Sequence, residues 1–445
     1  MASFQVAYVP IGVPTFHIES AQKEYERSRD MLTSLTQHLV FPENILLCAE
    51  DLAAFLETIS PDLVILQNST FANGVYCGEI LKRFSCPLLL WTLREPVIDG
   101  SRLRLNSLTG AYSAGNVLNA FGREFEYTFG SPGEQEVQSQ ISAFICAGAV
   151  KHKLGESRIA TVGHTPVGFG FGRALDSELL STFGVALESL EIRELTNKAR
   201  MLNTEDFLPL LEAAKQATYG LCEIPEENQI AFARLYKAYS DYVAENKISA
   251  ISSRCWPELF TEYGTPVCAV LSLLNDNGVA ASCESDVCGS ISVLIGMLLS
   301  NRPTFFGDPV SLDEKENTLT YWHCGMAPCS LARKDTGATI GVHPNRKIGP
   351  VMDFGCAPCE SVTVFRVGRK RDGNFRFFIA QGRALDKPKQ FDGTSTVVRM
   401  HGKAKDIVIN SVKDGWEPHF TIIFDSVSNE LEMLGKMLNI ETTCY

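Results

Sequence analysis

Residues 278–308 read GVAASCESDVCGSISVLIGMLLSNRPTFFGD, and the interpretation of this stretch decides the fold. Residues 278–284 are a short apolar run ending in an acid, the pattern of a buried strand. Residues 289–300 read as an apolar helix that Asn301 and Pro303 break. Residues 304–308 are a second short apolar run, again ending in an acid. Strand, helix, strand predicts a βαβ unit, with Glu284 and Asp308 side by side at the carboxyl ends of neighbouring parallel strands. Open α/β sheets carry their chemistry on that edge. Two carboxylates converging there repel each other unless a shared proton or a cation lies between them, which makes the pair a candidate site for a hard divalent ion. The alternative is that one acid caps a helix and the other opens a turn, and the spacing is compatible with both.

The same alternation runs through the preceding chain. FQVAYVPIG, NILLCAE, DLVILQN, PLLLWTL and EFEYTFG are strand-like, with helical patterns at 20–38, 52–59, 75–84 and 107–121. Residues 1–155 therefore predict a doubly wound α/β domain with a parallel sheet, its last helix at 134–153. A second doubly wound α/β domain is expected over 156–315, from the strands RIATVGH, LESLEI and ISAISSRCW and helices at 176–183, 205–219, 226–246 and 258–263. Its GFGFG turn at 168–172 is not GxGxxG and lacks a phosphate-loop lysine, so it is read as a flexible rim on the same carboxyl edge. Residues 316–445 change character. TLTYWHC, ATIGVHP, SVTVFRVGRK, FRFFIAQGRAL, STVVRMHG and KDIVINSV predict a β-rich, barrel-like C-terminal domain, followed by a helix at 427–438.

A chain of 445 residues exceeds one ordinary core, and two or three domains follow. A net charge of -12 argues against a nucleic-acid or anionic membrane surface, both of which need a positive field. The opening MASFQVAYVPIG lacks the basic start and apolar core of a secretion signal. No apolar helical stretch reaches the length of a membrane span, so a cytoplasmic protein is expected. The 14 cysteines are scattered singly, which predicts reduced thiols rather than a disulfide framework. Cys324, Cys329, Cys356 and Cys359 could form a four-thiolate zinc site, although their spacing fits incidental thiols better.

A third candidate ligand is His419, in the turn Gly-Trp-Glu-Pro-His before the strand-like FTIIF. Glu284 in E-x-D-x-x-G before an apolar helix, Asp308 in F-x-D 24 positions on, and His419 in a Trp-containing turn together resemble the L-fucose isomerase family, and more broadly the L-fucose/L-arabinose isomerase-like proteins. The resemblance is strongest from Trp256 and Glu258 to Asp308 and from Trp416 to the end. It implies a catalytic manganese ion held by Glu284, Asp308 and His419. It also implies a homotrimer or homohexamer in which a neighbour's first domain completes the site. The chain is shorter than classical members, and Pro418 stands where the family has Asn, which removes a polar group near the substrate hydroxyls.

The chemistry agrees with that ligand set. An ion chelating O1 and O2 of a sugar acidifies the C2 proton and stabilises an enediolate, while Glu284 and Asp308 act as base and acid. Two oxygens and one nitrogen suit Mn²⁺ and would accept Mg²⁺ or Co²⁺. Substrate contacts are assigned to Trp256, His323 and Trp416, and across a subunit interface to Arg94 or Trp91; core packing or a surface ion pair is the alternative for each. The expected activity is aldose–ketose isomerisation of an L-fucose or D-arabinose type of sugar. The alternatives are an epimerase, an isomerase of an acidic or sulfonated sugar such as sulfoquinovose with an arginine such as Arg94 on the anion, or a non-catalytic sugar-binding or regulatory protein.

Overall fold

The computed structural model describes residues 4–445, and the chain divides after His152 into two compact units. The first unit is built on a five-stranded, wholly parallel sheet: β1 (Val6–Ile11), β2 (Leu39–Val40), β3 (Leu63–Asn68), β4 (Leu88–Thr92) and β5 (Glu126–Phe129), in the order β2-β1-β3-β4-β5. β1, β3 and β4 are buried along their whole length, as strands covered on both faces must be, which is why they read as unbroken apolar runs. One strand differs from expectation. NILLCAE forms only a single bridge, Ile11 to Leu46, because Cys48 turns the chain out to cap the helix Ala49–Leu56. The edge strand is instead Leu39–Val40.

The second unit contains two sheets. The first is parallel and four-stranded: β6 (Arg158–Val162), β7 (Ala186–Leu190), β8 (Ala250–Ser253) and β9 (Ala280–Cys283), ordered β7-β6-β8-β9. The second is an antiparallel barrel of β10 (Phe305–Asp313), β11 (Thr318–His323), β14 (Cys359–Arg369), β15 (Phe375–Ala384), β16 (Thr394–Met400) and β17 (Phe420–Ile423). It closes through the β14–β15 pairing, and β18 (Glu441–Cys444) adds in parallel to β15. A two-stranded ribbon, β12 (Ile340–Gly341) with β13 (Val351–Met352), stands apart. The fold class is thus the one the sequence predicts: parallel-sheet α/β architecture followed by a β-barrel.

The predicted βαβ unit is not formed. β9 ends in the parallel sheet, whereas β10 enters the barrel, where it pairs antiparallel with β17 (Phe305↔Ile422) and β11 (Asp308↔Trp322). The reason lies in the helix between them, Val287–Ser300, which is buried on nearly every side. A helix without a polar face has no side to give to solvent. Here it packs β8 and β9 on one side and β14 and β17 on the other. Gly289 and Gly296, two turns apart, allow the close approach, since a Cβ at either would lie under 3.0 Å from Phe306 or Ile423. The second correction is KDIVINSV, expected as a strand and found in the helix Ala404–Lys413. Its β-branched run mimics alternation, but only Ala404 and Ile407 are buried, at helical spacing, with Asp406 in the first turn and Lys413 in the last.

Candidate active site

Glu284 follows the last residue of β9, in a turn where it and Ser285 both take left-handed backbone conformations, with φ of 61° and 53°. Two consecutive non-glycine residues in that region are strained, by about 1–3 kcal/mol each. The turn is pinned by Ser285 Oγ donating to the Val162 carbonyl (3.0 Å) and by the Asp286 amide donating to the Cys283 carbonyl (3.2 Å). It delivers Asp286 to the helix N-terminus, where Oδ1 accepts from the Gly289 amide at 2.8 Å. The sequence expectation that Asp286 opens the helix is met.

His419, directly before β17, is the hub. Its Nδ1 lies 2.8 Å from Asp286 Oδ2, its Nε2 lies 3.1 Å from Glu284 Oε2, and the same Nε2 is 3.5 Å from Asp308 Oδ1. The other oxygen of Glu284 accepts from Trp256 Nε1 at 3.2 Å. Asp286 also receives both terminal nitrogens of Arg366, at 2.6 and 3.1 Å, in a pair wholly removed from solvent. Glu284 and Asp308 therefore meet from two different sheets, with one imidazole between them. Phe171 and Phe306 wall the ring, at 5.5 and 4.9 Å between centroids, and Phe169 stands edge-on to Trp256. The Gly-rich turn is thus a rim of this cluster, and Gly172 is needed there because a Cβ would come within 2.9 Å of Asp286 Cα.

Burial opposes every charge in the cluster, and the partners decide which survive. Burial works against Glu284, but the hydrogen bond and charge of His419 bring its carboxyl below the ordinary value. Asp286 is likewise penalised by burial and held far below its usual range by Arg366 and His419. Asp308 lacks a close donor. Burial, reinforced by repulsion from Glu284 and only partly offset by His419, pushes it up to about 6. Burial would strip His419 of its proton, yet its bonds to Asp286 and Glu284 carry it up to about 10. His323 has no such support, and burial pushes it down to about 4. The result is one imidazolium among three carboxylates, beside one neutral imidazole.

The donor set fits a divalent cation. Ligand atoms of Glu284, His323 and His419 lie within 4.8 Å of one another, and Asp308 approaches the same His419 nitrogen. Nδ1 of His323 is buried without a hydrogen-bond partner, which a metal-ligating nitrogen would explain. Asp286 behind His419 is the carboxylate that commonly orients a ligating imidazole. No thiolate takes part. Among the described residues this is the one group of histidine, cysteine and acidic side chains able to hold an ion. The four cysteines weighed for zinc do not gather. Cys329 faces Met352 and Ser272, while Cys359 faces backbone carbonyls of Ser361 and Phe424, and all 14 thiols are free.

Trp256 and His323 thus stand in the cluster, and the three other expected substrate contacts are engaged elsewhere. Trp416 precedes His419 by three residues, but its indole is occupied by Arg376 (3.8 Å), Phe378 and Tyr445. Trp91 is fully buried in the core of the first unit, with Nε1 spent on the Gly130 carbonyl at 2.9 Å, so it cannot reach a ligand. Arg94 makes a two-pronged pair with Glu134 at 2.7 and 2.8 Å over the ring of Phe129. Sequence reasoning missed Arg366. Its signal was present: a lone cation inside the apolar strand VTVFRV demands a buried partner.

A buried carboxylate–imidazole cluster on a parallel-sheet and barrel framework suits proton transfer between adjacent carbons, and the protein is an enzyme of that class, an aldose–ketose isomerase. Known relatives agree in class. The chain is 62% identical over 446 residues to sulfoquinovose isomerase of Clostridium sp. (strain MSTE9), with the whole of both chains covered. It is 38% identical over 449 residues to the protein of the same name from Priestia megaterium, again over full length, and 34% identical to that of Alkalicoccus urumqiensis over 98% of each chain. The chain belongs to the sulfoquinovose isomerase family. No family model matches it. A solute-binding protein of Agrobacterium vitis bound with alpha-D-tagatopyranose is similar to 68% of this chain and 90% of its own, at 10% identity and a TM-score of 0.17, too low to bear on the fold.

Proposed function

We propose that this protein converts sulfoquinovose, an aldohexose with a sulfonate on C6, into the corresponding 2-ketose. The observation that carries this reading is full-length identity of 62% to a sulfoquinovose isomerase, joined to a proton-transfer cluster within the chain itself. It replaces L-fucose or D-arabinose, which the sequence pattern favoured, as the leading substrate.

In this reading Glu284, Asp308 and His419 would hold one Mn²⁺, Mg²⁺ or Co²⁺ ion, with His323 as a further nitrogen donor. A bound ion would supply Lewis acidity at the sugar oxygens beside the reacting carbon and so make the C2–H bond more acidic. Glu284 takes the proton from C2 and returns it to C1, while the O2 hydroxyl proton is passed to O1 with Asp308 as relay, so that aldose and ketose differ only in hydrogen position. Trp256 donates to Oε1 of Glu284 and so fixes the orientation of the carboxylate. Phe169, Phe171 and Phe306 keep water from the reacting carbons. The resemblance to the L-fucose isomerases supports a homotrimer or homohexamer. Among the described residues, no helix is long and apolar enough to cross a membrane.

The test is direct. Purified protein supplied with Mn²⁺ should convert sulfoquinovose to a ketose detectable by NMR, and exhaustive chelation should abolish the conversion until Mn²⁺ is restored. Turnover that survives chelation in folded protein would dismiss the metal.

A further inference from the structure

A sulfonate is anionic at every accessible pH, so a site that selects it needs a cation at a distance from the reacting carbons. Most arginines around the cluster are already engaged. Arg366 is committed to Asp286, Arg254 to Glu258, Arg369 to Glu178, and Arg173 to the Thr165 hydroxyl. The cavity of about 480 Å³ that Arg173 and Arg369 share is also lined by Glu178, Glu191 and Glu194, which leaves no net positive field for an anion.

Arg346 is different. Its Cζ lies 5.5 Å from the Trp256 ring and 5.7 Å from that of Phe260, it is exposed, and among the described residues no carboxylate comes within ion-pair reach of it. The Nε1 of the same Trp256 ring donates to Glu284. One indole therefore touches both the proton-transfer carboxylate and an unpaired guanidinium, which puts a cation beside the reacting site without placing it on the reacting groups. The turn that carries Arg346 is built rather than loose. His343 is buried edge-on against Phe260 at 5.0 Å, and its Nδ1 accepts the backbone amides of Asn345 and Arg346, both at 3.3 Å, while its carbonyl accepts the Lys347 amide at 2.8 Å.

We infer that Arg346, stacked on Trp256, is the residue that binds the sulfonate and sets the substrate specificity; this rests on the sulfonated-sugar reading above. A guanidinium lying over an aromatic face keeps its edge donors free, and two of them match two sulfonate oxygens. Lys347, the next residue, adds positive charge to the same turn.

KM and kcat for sulfoquinovose should be measured with Mn²⁺-loaded wild type, R346Q and R346K. The expected result is a KM raised by about 10–100-fold in R346Q with a smaller change in kcat, and an intermediate KM in R346K, which keeps the charge but loses the fork. Thermal unfolding of both variants should match wild type, because the side chain is exposed. A KM in R346Q within twofold of wild type, in protein that unfolds normally, overturns the inference and leaves the isomerase reading standing. Wild-type protein that converts glucose, with its 6-hydroxyl, as efficiently as sulfoquinovose overturns the sulfonated-sugar reading itself, and Arg346 with it.

Discussion

Asp286 Oδ2 accepts a hydrogen bond from His419 Nδ1 at 2.8 Å, and this contact across 133 positions of sequence fixes which nitrogen of His419 faces the carboxylates. With Nδ1 engaged, Nε2 is held between Glu284 and Asp308. Arg366 in turn holds Asp286 in its ionised form. The order of dependence runs from a strand of the barrel, through a helix cap, to a turn histidine.

Asp286→Asn should keep the cap and the shape while removing the negative charge behind the imidazole. Mn²⁺ affinity by calorimetric titration is expected to fall about tenfold or more. Unchanged affinity would show that the packing of Phe171 and Phe306 suffices to orient His419.

Arg366→Met leaves Asp286 buried with only His419 as a charged partner. Breaking one side of a buried pair costs about 3–5 kcal/mol, and urea unfolding of the variant should show a loss of that order. A loss under about 1 kcal/mol would mean that Asp286 takes up a proton instead.

Metal binding should grow tighter as pH rises. The proton on His419, carried up to about 10, must leave before the ring can serve an ion, so near neutral pH each unit of increase should strengthen apparent affinity by up to about tenfold. Below the Asp308 value of about 6, a second proton competes and the fall steepens. Mn²⁺ titrations at pH 5.5, 7 and 8.5 check this, and a flat profile would place the ion away from His419.

Glu284→Gln keeps an oxygen for the ion but cannot take a proton. Turnover is expected to drop by about 10²-fold or more. In deuterated water, wild-type product should carry solvent deuterium at C1 to the extent that the Glu284 carboxyl exchanges its proton before delivering it. Product with none, together with near-normal turnover by the variant, would point to a hydride shift and remove Glu284 from the proton path.

Local pattern alone reveals much of this molecule. The apolar runs of β1, β3 and β4, and the long helices such as Glu226–Asn246, are readable because strands covered on both faces and amphipathic helices leave period and composition in the chain. Closely spaced acids and a turn histidine likewise mark Glu284, Asp308 and His419 for attention, and the structure makes them neighbours. What the pattern could not decide is which sheet a strand joins. Residues 304–308 have the same apolar look whether they complete a βαβ unit or enter a barrel, since pairing partners lie over a hundred residues away, as Phe305 with Ile422 shows. The partner of Arg366 and the role of Arg346 were hidden for the same reason. A cation's role depends on whether a carboxylate is in reach, and only the tertiary fold brings Asp286 to the first and withholds any from the second.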